Sequence, residues 1–202
     1  MMFKKVLLTK VSPLMIVLLI ASCGGQKAET ETEETSETEV VTEQTEEAAP
    51  TIESPRKQAE GKIGEVNVIL DYGSPAVKGR EIWGGLEPYG EVWRAGANET
   101  TSIQFDKDVA IGGTEVKAGK YGVYIIPNES EDWVIIFNTD WNREEHGAWG
   151  AYNYTQDHDV ARISVPIEQV EDNQERLEYT IAAEGFGFAW EKVRLMVPIK
   201  AG

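Results

Sequence analysis

The chain has 202 residues, with 35 Asp and Glu against 19 Lys and Arg, and a single cysteine. A formal net charge of −16 repels nucleic-acid phosphates and anionic lipid headgroups, so neither is expected as an electrostatic partner. One cysteine leaves no intramolecular disulfide to staple the fold.

In chain order, residues 1–22 read as an export signal. Lys4, Lys5 and Lys10 precede the apolar stretch VSPLMIVLLI, residues 11–20. A ten-residue apolar stretch is too short to span a bilayer as a helix but suits the core of a signal peptide. The stretch ends in Ile20-Ala21-Ser22-Cys23, which resembles a bacterial lipobox. That resemblance implies cleavage before Cys23 and acylation of its thiol, an outer-membrane lipoprotein held by palmitate-like chains at about 0.8 kcal/mol per buried methylene. Residues 23–61 follow as an acidic Glu/Thr-rich tether without an aromatic residue, carrying eleven acids against three bases. Such a composition buries too little apolar surface to offset ordering entropy, and disorder is expected there. The charge divides as +3 in the signal, −8 in the tether and −11 in residues 62–202.

Residues 62–202 hold all six tryptophans and are expected to form one β-sandwich domain. In EVNVILDY, residues 65–72, Val66, Val68, Leu70 and Tyr72 alternate with polar positions, the period of a half-buried strand. Further strands are predicted over 101–105, 108–111, 120–127, 133–138, 161–167, 176–183 and 188–199. They are separated by Gly112-Gly113, Ala118-Gly119, Pro127-Asn128, Asn173 and Gly185-Phe186-Gly187. Eight or nine short strands with this punctuation predict an all-β, antiparallel, jelly-roll-like sandwich.

Four stretches carry a family resemblance: SPAVKGREIWGGLEPYGEVWRAGANETTSIQF (74–105), AGKYGVYIIP (118–127), WVIIFN (133–138) and WGAYNY (149–154). Together they closely resemble the domain-of-unknown-function 2911 family over most of residues 64–199. The resemblance implies an envelope protein of Gram-negative type, often a lipoprotein, and brings no established activity. Glu87 departs from it, standing where an apolar residue is expected before Pro88-Tyr89-Gly90.

Two clusters stand out as candidate sites. In YGEVWRAGANETT, residues 89–101, Arg94 offers five donors in a rigid fork beside Asn98 and Glu99, with Trp83 and Tyr89 as flanking platforms. The competing expectation is structural: Arg94 pairs with Glu99 or Glu81 and braces a glycine-rich corner. The second cluster is DWNREEHGAWGAYNYTQDHD, residues 140–159, where Trp141, Trp149, Tyr152 and Tyr154 suit a groove for sugar rings. The same loop holds His146 and His158 among Glu144, Glu145, Asp157 and Asp159. The spacing of the two histidines matches no compact ligand motif, so neither a metal nor a cofactor is expected. No nucleophile elbow or phosphate-binding glycine loop is present in the sequence. The leading expectation is therefore a non-enzymatic envelope module that binds glycan or peptidoglycan. The alternatives are a protein-docking scaffold and a hydrolase using carboxylates or a metal in residues 140–159. Anchoring is checked directly: Cys23→Ser is expected to move the protein out of the membrane fraction and abolish labelling by a palmitate analogue.

Overall fold

The computed structural model describes residues 54–202; the expected signal peptide, Cys23 and the tether up to residue 53 lie outside the described residues. Ten strands follow in chain order. They are β1 (Arg56–Ile63), β2 (Val66–Gly73), β3 (Thr101–Phe105), β4 (Val109–Ile111), β5 (Thr114–Val116), β6 (Gly119–Ile126), β7 (Trp133–Asn138), β8 (Asp159–Val165), β9 (Ile167–Ala182) and β10 (Gly185–Ala201). One helical turn, α1 (Arg143–His146), interrupts the connection between β7 and β8. The strands form a six-stranded sheet in the order β1-β2-β3-β6-β7-β8 and a four-stranded sheet in the order β5-β4-β10-β9. Every pairing is antiparallel. The expected all-β antiparallel sandwich is what the chain forms.

Alternation carries most of this architecture. On β2, Val66, Val68, Leu70 and Tyr72 point into the core, while Asn67 and Ile69 face solvent. Between β4 and β5, Gly112 (φ 57°) and Gly113 (φ 87°) supply two successive positive-φ residues, as a tight hairpin requires. The strand count is slightly higher than expected, with β1 and β5 added. β1 starts at Arg56, inside the segment expected to be tether, so residues 56–61 belong to the sheet. Its sequence RKQAEGKI is mostly polar because it is an edge strand with one side only half buried, Ala59 packing on the core and Ile63 fully buried; backbone pairing to β2 and an Arg56–Asp71 ion pair hold it. Its far side lies against β9, where a Cβ on Gly61 would fall 2.7 Å from the Ile181 Cβ. β9 and β10 run for 16 and 17 residues, bent by register shifts on either side of Glu191.

Residues 74–100, between β2 and β3, close one end of the sandwich. Ala76 bridges to Arg176 on β9, and Trp93 bridges to Ile125 on β6, so the excursion touches both sheets. Between these ties Trp83 fills the space, its ring 4.5 Å from Trp133, 5.4 Å from Trp190 and 5.7 Å from Trp93. Trp93 and Trp190 stack at 5.5 Å. Removing one of these rings leaves a cavity between the β2–β3 connection, β7 and β10. Trp190→Ala is expected to cost about 3–5 kcal/mol in urea denaturation; a loss under about 1 kcal/mol would mean that the plug does not hold the end closed.

Candidate functional site

The corner at residues 93–101 buries Trp93, Ala95, Gly96, Thr100 and Thr101 and exposes Asn98 and Glu99. The Ala95 carbonyl accepts hydrogen bonds from the Tyr179 hydroxyl at 2.7 Å and from Thr101 Oγ1 at 2.9 Å, and Trp93 Nε1 donates to the Gly96 carbonyl at 3.2 Å. These contacts hold Ala95 (φ 53°) and Asn98 (φ 65°) in the left-handed region that non-glycine residues seldom adopt. With Trp93 and Ala95 buried, Arg94, Asn98 and Glu99 are directed away from the core.

Arg94 does not form the expected pair with Glu99 or Glu81. It donates from Nη1 to the Asn98 carbonyl at 2.8 Å, while Glu99 faces Arg56, with Oε2 3.7 Å from Nη1. The corner turns Glu99 toward the start of β1 and Arg94 toward the β7–β8 connection. There Gly150 (φ 61°) packs directly on the guanidinium: a Cβ would lie 2.5 Å from Arg94 Cζ. Gly150 also accepts a hydrogen bond from Thr100 Oγ1 at 3.2 Å, which fastens this connection to the corner.

Residues 140–159 are ordered by their own polar groups. Asn142 caps α1 by accepting from the Glu145 amide at 2.7 Å, and Gly147 ends it in the left-handed conformation. Asn153 donates to the Gly147 carbonyl at 3.1 Å. Tyr154 is not in the lining of the Trp141–Trp149 cleft: its hydroxyl donates to Asp159 and accepts from Arg162, both at 2.7 Å, and its ring packs on Tyr124. The two histidines have separate partners. His146 packs against Trp141, whereas His158 Nδ1 lies 2.7 Å from Asp140 Oδ2, and that hydrogen bond holds the imidazole above its ordinary range. Among the described residues no group of three or more His, Cys, Asp or Glu is placed to hold a metal ion.

Besides an open hollow of about 620 Å³ along β9 and β10, lined by Ile167, Phe188 and Met196 among others, two neighbouring concave regions adjoin this corner. The first, about 200 Å³, has Trp141 and Trp149 as walls, Thr100 in its lining and Arg56, Lys120 and Arg143 around it. Trp149 is 37% exposed. Lys120 Nζ sits 4.1 Å from the centre of the Trp141 ring, and Arg143 Cζ 5.1 Å from that of Trp149. The acids at this cleft, Asp71 and Glu99, are both engaged by Arg56. The second region consists of two hollows, about 220 and 270 Å³, that share Glu87 and Arg94. Exposed Tyr152 lines one of them, while Arg80, Asn98 and Trp190 line the other. Burial pushes the Glu87 carboxyl up to about 7, against the opposing pull of Arg94 and Arg80.

Of the residues singled out from sequence, Trp141, Trp149 and Glu99 meet in the first cleft and Arg94, Asn98 and Tyr152 in the second region. Arg56, Arg80, Lys120 and Arg143 gave no local signal. Glu87 did, as an acid where the resemblance implied an apolar residue.

A family model described as "Protein of unknown function (DUF2911)" matches residues 54–199. No curated protein and no solved structure matches the chain.

Glu87 generates a test. Its folded pKa, about 7, lies above the ordinary 4.5, so the folded state prefers the protonated acid. That contribution to stability is complete below about pH 4.5 and is lost as pH rises through 7. Glu87→Gln imitates the protonated form at every pH. The variant is expected to match the wild type near about pH 4 and exceed it by about 1–3 kcal/mol at about pH 8.5, a range lowered for partial exposure. Urea midpoints that run parallel across this interval would contradict the burial of an ionisable Glu87.

Proposed function

The chain belongs to the DUF2911 family, and from that premise we propose that it is a non-enzymatic saccharide-binding module of the cell envelope, anchored in the outer membrane through Cys23. The observation that carries this is the convergence of Trp141 and Trp149 on one open cleft with hydroxyl and cationic side chains in its lining. Sugar rings present apolar C–H faces to indoles and hydroxyls to polar groups at the edge, which is the mixture found here. The lipobox-like sequence before Cys23 and the acidic tether favour an envelope location, where peptidoglycan fragments are the abundant saccharide. A protein-docking role is favoured by a different observation, the exposure of Leu86, Tyr89, Trp149 and Tyr152.

Tryptophan fluorescence separates the two. Titration with the N-acetylglucosamine–N-acetylmuramic acid disaccharide is expected to perturb the emission with a weak affinity, because one stacking contact contributes only about 0.5–1.5 kcal/mol. Trp149→Ala should weaken binding about 3- to 10-fold while leaving the melting midpoint nearly unchanged. An unaltered titration in Trp149→Ala, or no response in the wild type, would remove the saccharide assignment.

A further inference from the structure

We propose that the hollow bounded by Arg80, Glu87, Arg94 and Trp190 is a second binding site, separate from the Trp141–Trp149 cleft, that takes the carboxylate of a small organic acid such as an acidic sugar. This inference stands independently of the saccharide assignment for the first cleft.

The hollow measures about 270 Å³, room for a single monosaccharide-sized molecule. Its lining has donors in excess of acceptors. Arg94 uses Nη1 toward the Asn98 carbonyl, and among the described residues neither Nε nor Nη2 has an acceptor. Arg80 is fixed by donation from Nε to the Val77 carbonyl at 3.1 Å and from Nη2 to the Ala76 carbonyl at 2.6 Å, which leaves Nη1 to spare. Trp190 is fully buried behind the hollow, and its Nε1–H, like that of the neighbouring Trp83, has no hydrogen-bond partner among the described residues. A buried donor without a partner is a standing cost that native folds seldom carry without a reason. The natural complement of two guanidinium groups at one hollow is an acceptor-only anion, and a planar carboxylate fits the guanidinium fork in pairs of hydrogen bonds.

Charge points the same way. Residues 62–202 carry a net −11, yet this hollow sets two arginines against one acid, Glu87, and Glu87 makes no ion pair with either. The acid also selects among anions. A dianionic phosphate would meet its negative charge, whereas a monocarboxylate can share a proton with it. Burial supports this, since it raises the Glu87 carboxyl to about 7, so that a large share stays protonated at neutral pH. Arg94 is held in place by Gly150, whose missing Cβ permits the contact, so the fork is set before a ligand arrives.

Isothermal titration with sodium D-glucuronate, against D-glucose and inorganic phosphate, tests the assignment. Glucuronate is expected to bind and glucose not to; phosphate should bind at least 5-fold more weakly than glucuronate. Arg94→Gln should reduce glucuronate affinity at least 10-fold, with Arg94→Lys recovering part of it. Glu87→Gln, which keeps a donor and removes the charge, should bind at least as tightly as the wild type at pH 8. In the ¹H–¹⁵N spectrum the Trp190 Nε1–H signal should shift on binding while that of Trp149 stays in place. If glucuronate instead shifts Trp149 alone, the acid occupies the first cleft and this second site is refuted. Equal affinity for glucose, a phosphate preference, or an unaltered folded Arg94→Gln would each overturn it too.

Discussion

Trp83 and the three indoles it touches are the contact on which the remainder of this structure depends. The two sheets alone leave an open end, and the β2–β3 connection covers it only because Trp83 lodges between Trp93, Trp133 and Trp190. Aromatic edges meeting faces add to the burial of large rings, so the plug is strong for its size. It also constrains the backbone around it. With Trp93 committed to the plug and the Ala95 carbonyl bonded to Tyr179, residues 94, 98 and 99 must point outward. The polar groups of the corner are thus a by-product of closing the sandwich, placed where a ligand can reach them.

The connection between β7 and β8 uses this corner as its anchor. Thr100 holds Gly150 by a hydrogen bond, and Gly150 lies on Arg94, so the wall of the first cleft and the fork of the second hollow meet at one residue. A loop of this length would be costly to order if binding had to fix it. The Asn142 cap, the Asn153–Gly147 bond and the Thr100–Gly150 bond fix it beforehand, which preserves binding energy for the ligand.

Electrostatics gives the two concave regions different characters within an acidic domain. At the first, Lys120 and Arg143 rest on indole rings, which keeps cations near the cleft without neutralising them with acids. At the second, low dielectric surroundings act on Glu87 more strongly than two nearby arginines do. The first region is therefore aromatic with a cationic rim, and the second is donor-rich with a carboxyl whose charge depends on pH near neutrality.

Period-two alternation and turn chemistry in the sequence determine most of the sandwich, because a half-buried strand writes its own burial into every second residue. β2, β3 and β7 fall where that pattern predicts them, and Gly112-Gly113 marks its hairpin. β1 escapes detection because an edge strand with one poorly buried side needs no apolar period, and β5 because three residues are too few to show one. The aromatic loop at residues 140–159 is legible as a candidate site from its length and composition alone. What binds what within it is not. Arg56, Lys120 and Arg143 come from β1, β6 and α1 and meet only through the packing of the sheets, while Tyr154 is drawn away by Asp159 and Arg162. The partner of Arg94 and the protonation of Glu87 likewise follow from burial and from groups distant in sequence. Local pattern encodes which face of a strand is buried; only the closed tertiary structure decides which charges are left without a partner.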